Sequence, residues 1–528
     1  MDNERQRISL ALPGDRVTRR TFLGGSLAVG LGTSLAACGG TAATSQKTTS
    51  ARPSVGGAIR IGMNDGGSGD TLNPFEQPLY TQVIRSTLTQ EHLFEIDIHN
   101  NPIPALALSA EPNKDATAWK VNLRPDVVFS NGKRLTADDV LYSYTYGANP
   151  KLSDRSGGLS AIDIKASRKL SDTEVLFVLS TPVGGFTSYL ASGSGNSTPW
   201  IVPAGTSTWN TIIGTGPYKL TTFVEGQESV MIRRPDYWGS SYLDKVTLVP
   251  ITDPSSRMDS LLSGEVQAIY FVEPENAKEQ ARNPALTLLP TYAGADFVPF
   301  YVQIDTPPFN DNDVRTALKL SVNRPELITD GLLGFGSVGN DVAGKGFPTY
   351  NAALPQHHYD PEQAKFLLKK AGHEDLTFTL YTSAEAPGML ESATVWKAQA
   401  ASAGISINLV QLPSSSYFSN NKYLKVPVYQ SSWGGSFENW APLALFKGAT
   451  YNETHWDNPA WQAKFTQALG VIDEKQREDA FKELEVPVWQ DGGYILWGYY
   501  AAINAVSSKV HGAVPTSGFN MHPQDWWL

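Results

Sequence analysis

The only cysteine in the chain, Cys38, ends the run Leu35-Ala36-Ala37-Cys38. That run has the form of a lipoprotein processing box, in which the thiol takes a lipid and becomes the first residue of the mature chain. Upstream, Thr18-Arg19-Arg20-Thr21-Phe22-Leu23 opens an uncharged, Gly-rich stretch whose apolar part, Phe22 to Ala37, is sixteen residues long. A bilayer-spanning helix needs roughly 20, so the paired arginines and short apolar run read as a twin-arginine export signal over residues 1–37. With no other cysteine, the mature chain has no disulfide, no thiolate nucleophile and no Cys-ligated metal to offer.

Other spacings carry less chemistry. Gly334-Phe335-Gly336-Ser337-Val338-Gly339 has the spelling of a dinucleotide fingerprint. It follows a helix-like segment, Pro325 to Leu333, rather than a strand, so it reads as a glycine-rich loop and no cofactor is expected. His357-His358 lacks a cysteine or carboxylate at ligand spacing and reads as a solvated loop, with no metal. There is no Walker loop, nucleophile elbow or Glu/His metalloprotease helix. Asp138, Asp139 and Asp360 read as helix caps. The other carboxylates cannot be paired from sequence. A secreted hydrolase would need two of them within about 10 Å across a cleft, and the expectation is a protein that is not an enzyme. Trp433, Trp440, Trp456 and Trp461 crowd one stretch beside Asn, Gln and Ser, a composition that suits sugar rings. Trp456 and Trp461 read as core, Trp433 as a ring open to a cleft, and Trp526-Trp527 as a packing anchor.

The elements that must position such groups are mixed. The chain has 528 residues and is 41% hydrophobic. Its net charge of −10 becomes −12 once the five arginines and three acids of residues 1–37 are removed. An acidic surface disfavours nucleic acid and anionic lipid as partners. The mature length exceeds what one core supports, so two or more lobes are expected. Residues 38–54 are rich in Gly, Ala, Ser and Thr and read as a flexible tether. Order begins with a strand at Gly56-Gly57-Ala58-Ile59-Arg60-Ile61, followed by a turn-rich loop from Asp65 to Pro74. Trp119 to Arg124 and Val127-Val128-Phe129 read as a strand pair, with a turn at Asn131-Gly132. Helices start at Thr136, Asp311 and Asp360. After Asp360-Pro361-Glu362-Gln363, the residues Ala364, Leu367, Leu368 and Ala371 share a face and Gly372 stops the helix. Val314, Ala317, Leu318 and Val322 do the same after Asp311. Strands and helices alternate without a repeat, an α/β pattern.

The ordered set of these segments resembles the extracellular solute-binding proteins of ABC importers, family 5, the peptide/nickel/oligopeptide-binding type. It runs from Thr71-Leu72-Asn73-Pro74-Phe75 through Pro104-Ala105-Leu106-Ala107, Leu135-Thr136-Ala137-Asp138-Asp139-Val140 and Gly214-Thr215-Gly216-Pro217-Tyr218. It continues with Arg234-Pro235-Asp236-Tyr237-Trp238-Gly239, Tyr242-Leu243-Asp244-Lys245-Val246, Pro307-Pro308-Phe309-Asn310-Asp311 and Asn323-Arg324. Tyr359-Asp360-Pro361-Glu362-Gln363-Ala364-Lys365 completes it. The resemblance implies a bilobal, periplasmic-binding-protein-like class II fold that closes on a solute by hinge motion. Lobe I would span 55–298 with a small subdomain inserted at about 96–205, lobe II 299–493, and residues 494–528 would return to lobe I. It also implies a monomer that hands its solute to ABC permease subunits and touches the membrane only through lipidated Cys38.

Two regions are expected, from the resemblance, to line the cleft. One holds Gln77, Pro78, Leu79 and Tyr80. The other holds Gln430, Trp433, Gly434, Gly435, Ser436, Glu438 and Trp440, with Tyr301 at the crossing between lobes. Peptide-binding relatives place an aspartate three residues after the tryptophan, against the ligand's α-ammonium group. Here that position is Ser436, and an ammonium buried without its counter-charge costs about 3–5 kcal/mol. Glu438 is the replacement two residues on, if the loop path allows it. A di- or oligopeptide is the leading solute, with an oligosaccharide, an opine-like compound or a metal chelate as alternatives. An adhesion or sensory lipoprotein with the same fold is the reading without transport.

Overall fold

The computed structural model describes residues 52–528 except 68, 77–78, 154–155, 192–197, 293–295 and 517–519. The expected export signal, Cys38, the tether up to residue 51, and Gln77 and Pro78 lie outside the described residues.

A seven-stranded sheet runs in the order Leu286–Thr291, Ala502–Ser507, Ala268–Ile269, Ala58–Met63, Lys245–Pro250, Ser229–Arg233, Tyr218–Phe223. Ala58–Met63 pairs in parallel with Lys245–Pro250 and Ala268–Ile269, and the other pairings are antiparallel. Ile59, Ile61 and Met63 are buried and pack with Ile84 and Leu88 of helix Tyr80–Thr89. Each such side chain contributes about 1.5–3 kcal/mol when taken out of water. The same helix carries Arg85, whose buried guanidinium meets Asp70 Oδ2 at 2.7 Å and donates to Ser229 Oγ at 2.9 Å and to the Thr71 carbonyl at 3.1 Å. These bonds fix the turn-rich loop after the first strand, and so fix where Tyr80 begins its helix.

A five-stranded sheet runs Ser406–Gln411, Thr377–Thr382, Val428–Gln430, Phe300–Val302, Tyr494–Ile495. Phe300 stacks on Trp396 of helix Met389–Ala401, with centroids 4.3 Å apart. Helix Asn312–Leu320 begins at Asp311, whose carboxylate accepts from the Asp313 N–H at 2.8 Å. Helix Pro361–Lys370 begins at Asp360, which accepts from the Gln363 N–H at 2.9 Å. Val314, Ala317, Leu318, Ala364, Leu367 and Leu368 all face this core, as their spacing predicts.

A four-stranded antiparallel sheet, Ala107–Pro112, Ala118–Leu123, Glu174–Val178, Arg168–Ser171, has its own apolar core around Val121, Phe129, Val140 and Phe177. Helix Ala137–Gly147 covers it. At that helix start Asp139 accepts from the Thr136 N–H and hydroxyl, both at 2.9 Å. Asp139 also pairs with Lys133.

Three expectations are corrected. Val127 to Phe129 does not pair with Ala118–Leu123, whose two edges are taken by Ala107–Pro112 and Glu174–Val178; Val128 instead bridges Arg134 across the Asn131-Gly132 turn. His357 is no solvated loop residue: its Nδ1 lies 2.7 Å from Asp341 Oδ2, beside the buried Arg324–Asp341 pair, and its ring stacks on Trp489. The chain does not rejoin the first sheet at Tyr494. Tyr494–Ile495 still pairs with Phe300 and Tyr301, Gly498–Tyr500 pairs with Gly336–Val338, and the return comes at Ala502–Ser507. Among the described residues no helix is long and apolar enough to cross a membrane.

Candidate functional site

Where the chain passes between the two large sheets, three segments are laced by backbone hydrogen bonds. The Phe297 N–H donates to the Trp433 carbonyl at 2.8 Å, and the Trp433 N–H returns a bond to the Phe297 carbonyl at 2.9 Å. The Tyr500 N–H donates to the Asp296 carbonyl at 3.0 Å. Asp296, Trp433 and Tyr500 are therefore neighbours by main-chain geometry. From the seven-stranded sheet come Tyr80, at the start of its helix, and Tyr270, just past strand Ala268–Ile269, with ring centroids 5.4 Å apart. Asp65 holds that helix start, accepting from the Tyr80 N–H at 2.5 Å and the Thr81 N–H at 2.9 Å. It does for this helix what a side chain at the cap position does elsewhere, since Leu79 has no oxygen to offer.

Trp433 is half-buried and its orientation is set from behind. Its indole N–H donates to Glu453 Oε2 at 3.0 Å. Glu453, fully buried, also accepts from Tyr494 at 2.7 Å, Tyr423 at 2.8 Å and Ser431 Oγ at 2.5 Å. Burial pushes its carboxyl up from the ordinary range, opposed by those four donors.

Gly434 and Asp296 explain each other. A Cβ on Gly434 would lie 2.1 Å from Asp296 Oδ1, so glycine lets the carboxylate keep its present position. Asp296 itself is half-buried, and burial alone lifts its carboxyl from 3.8 to about 7. The Tyr80, Tyr270 and Tyr500 phenols are pushed up as well, first by burial and then by nearby negative charge that includes Asp296.

The expected site residues divide. Tyr80 is exposed, Leu79, Trp433, Gly434 and Gly435 are half-buried, and Gln77 and Pro78 lie outside the described residues. Tyr301, Gln430 and Trp440 are corrections, because all three are core. Tyr301 sits between Tyr429 and Tyr494. Gln430 accepts from Thr382 Oγ1 at 2.6 Å and donates to Ser392 Oγ at 3.0 Å. Trp440 packs edge-on against Tyr494 at 5.1 Å. Ser436 is the cap of helix Phe437–Ala444, its hydroxyl turned to the Asn439 N–H, so it is not a stand-in for an aspartate. Glu438 accepts from Thr349 Oγ1 at 2.8 Å, and its carboxyl is pushed up by burial. It lines a different cleft, of about 120 Å³, with Asn100, Gly185, Tyr189, Phe347 and Arg477. Trp456 and Trp461 are buried, as expected.

Sequence reasoning missed Asp296, Tyr270, Tyr500 and Glu453. Asp296 did leave a signal, a lone charge before the apolar run Phe297-Val298-Pro299-Phe300. Among the described residues no group of His, Cys, Asp and Glu is placed to hold a metal ion.

Residues 101–453 match a family model described as bacterial extracellular solute-binding proteins, family 5 Middle. The chain is 24% identical over 485 residues to the glutathione-binding protein GsiB of Pectobacterium atrosepticum, covering 86% of this chain and 92% of that one. It is 25% identical over 471 residues to the periplasmic oligopeptide-binding protein OppA of Escherichia coli K12, covering 80% and 83%. Among solved structures, the ABC transporter substrate-binding protein CtaP of Listeria monocytogenes has the same fold, with a TM-score of 0.79 at 21% identity over 90% of this chain and 99% of that one.

Proposed function

The chain belongs to the bacterial extracellular solute-binding proteins of family 5, and on that premise we propose that it captures a peptide-like solute between its two large sheets and passes it unaltered to an ABC permease. The family is one of solute receptors rather than enzymes, and its fold is bilobal and mixed α/β. The observation that carries the reading is that the adjoining rings of Tyr80 and Tyr270, from one sheet, lie within reach of the charge of Asp296, whose segment the main chain ties to Trp433 and Tyr500. A solute seated there would touch both halves at once, so its binding energy falls on the closed arrangement and shifts the balance toward it.

Contacts away from that seat fit a reversible closure. Asn100 Nδ2 donates to the Gly346 carbonyl at 3.1 Å, and the Gly184 N–H to the Leu469 carbonyl at 2.7 Å. Single neutral hydrogen bonds of this kind contribute about 0.5–1.5 kcal/mol each, little enough to be made and broken in a binding cycle. A peptide is preferred over a sugar because the relatives named for their ligands include glutathione- and oligopeptide-binding proteins, and because three of the four tryptophans that could stack on sugar rings, Trp440, Trp456 and Trp461, are buried. The lipid anchor at Cys38, the twin-arginine route, the monomeric state and the domain limits given above, with the return to the first sheet moved to Ala502–Ser507, belong to the same proposal.

The test is native mass spectrometry of the full chain with a mixture of short peptides, followed by small-angle scattering with the peptide retained. One bound solute per chain and a contraction of the particle are the expected results. A scattering curve unchanged at saturation would overturn capture by closure.

A further inference from the structure

Among the described acids of this seat, Asp296 is the one whose chemistry is left open. Asp65 is occupied by the start of helix Tyr80–Thr89, and Glu453 by its four donors. Among the described residues the Asp296 carboxylate accepts no hydrogen bond and faces no Lys, Arg or His; nothing beyond burial acts on its charge. A half-buried carboxylate without a partner costs stability, and folded chains retain such groups where something else completes the pair. Its surroundings narrow what that partner is. The Asp296 charge reaches the phenols of Tyr80, Tyr270 and Tyr500, and a ring face attracts a cation. The empty space of Gly434 lets the carboxylate lie against the backbone of the segment that carries Trp433.

We infer that Asp296, with the tyrosines 80, 270 and 500, forms the subsite for a positively charged nitrogen of the solute, in the form of a primary ammonium group. The subsite rests on the solute-capture reading above and names what that solute must carry. It supplies the counter-charge that Ser436 cannot, from a different segment of the chain. The specificity follows: solutes whose amine is blocked leave the carboxylate desolvated and unpaired, which is worse than leaving the seat to water.

The experiment offers the full chain four probe mixtures in native mass spectrometry, with affinities of retained species measured by calorimetry. They are two- to five-residue peptides of Ala, Gly, Ser and Leu with free N-termini, the same peptides N-acetylated, the free bases putrescine, spermidine, lysine and arginine, and neutral maltooligosaccharides. Capture from the first or third mixture, with acetylation and Asp296→Asn each lowering affinity by about thirtyfold or more, is expected. Asp296→Asn is also expected to melt no lower than wild type without solute, because it removes an unpaired charge. Equal capture of acetylated peptides or of sugars, or wild-type affinity in Asp296→Asn, overturns the subsite and leaves the receptor reading standing. A collapse of the apo fold in Asp296→Asn assigns the residue a structural role and overturns it too. Capture from none of the four mixtures overturns the subsite and the receptor reading together.

Discussion

Removing the Glu453 carboxylate gives a test of how Trp433 is held. Two donors meet each of its oxygens: Ser431 and Tyr423 on Oε1, Trp433 and Tyr494 on Oε2. In Glu453→Ala all four lose their acceptor inside a buried site, at about 1 kcal/mol each. The vacated side-chain volume adds about 1 kcal/mol, while relief of the carboxylate's own burial returns some of the total. The net expectation is a loss of about 3–5 kcal/mol. Glu453→Gln separates acceptor geometry from mere occupancy. An indole N–H can only donate, so the amide oxygen must take the Trp433 and Tyr494 side, leaving the NH2 to face two hydroxyls that can turn and accept. That variant is expected to lose only about 1–2 kcal/mol. Urea unfolding followed by tryptophan fluorescence measures both, and Trp433 emission in Glu453→Ala is expected to shift red as the ring loses its anchor. If Glu453→Ala unfolds within about 1 kcal/mol of wild type, or Gln costs as much as Ala, the four-donor account is wrong.

Further outcomes follow from the same geometry. The Asp296 carboxyl has a folded value near 7 against 3.8 when exposed, so the solute-free protein binds its proton more tightly than the unfolded chain does. The stability it lends is present at low pH and is lost as pH rises from about 4 to 7, a slope that Asp296→Asn should remove in thermal melts. The three tyrosines around it are pushed upward and stay protonated across that window. A Cβ at Gly184 would lie 1.8 Å from the Val471 carbonyl oxygen; Gly184→Ala should part those surfaces by about 1.5 Å and weaken solute binding about tenfold without lowering apo stability, read by calorimetry and melting. Trp433→Ala should weaken peptide binding and also cost about 1–3 kcal/mol of apo stability, since one Glu453 oxygen loses a donor. Cys38→Ser should move the protein from the membrane fraction to the soluble one, read by fractionation and immunoblot.

Much of the scaffold is legible in the sequence because local rules decide it. Asp311 and Asp360 cap helices whose apolar spacing is regular, and both do so in the structure. The region around Trp433 and the segment ending at Tyr80 are legible through family resemblance. What failed was the direction of side chains. Strand Val428–Gln430 lies between two other strands in a sheet whose core covers both faces, so all three residues are buried and alternation gives no open face for Gln430. Trp440 could have been placed, since Phe437, Trp440, Ala441 and Ala444 repeat at helical spacing on the inner face. Asp296 left only its local signal, a lone charge before an apolar run, because its neighbours come from positions 80, 270, 434 and 500, joined only by the fold.

The strand order of the seven-stranded sheet has a consequence for biogenesis. Ala502–Ser507 sits between Leu286–Thr291 and Ala268–Ile269, and Tyr494–Ile495 closes one edge of the other sheet. A nascent chain that has left the ribosome as far as residue 490 thus presents raw strand edges where these two segments belong, and such edges recruit one another between molecules. Neither half can be finished until residues 494 to 507 have been made, so the earlier strands are expected to wait, incompletely paired, for the later ones.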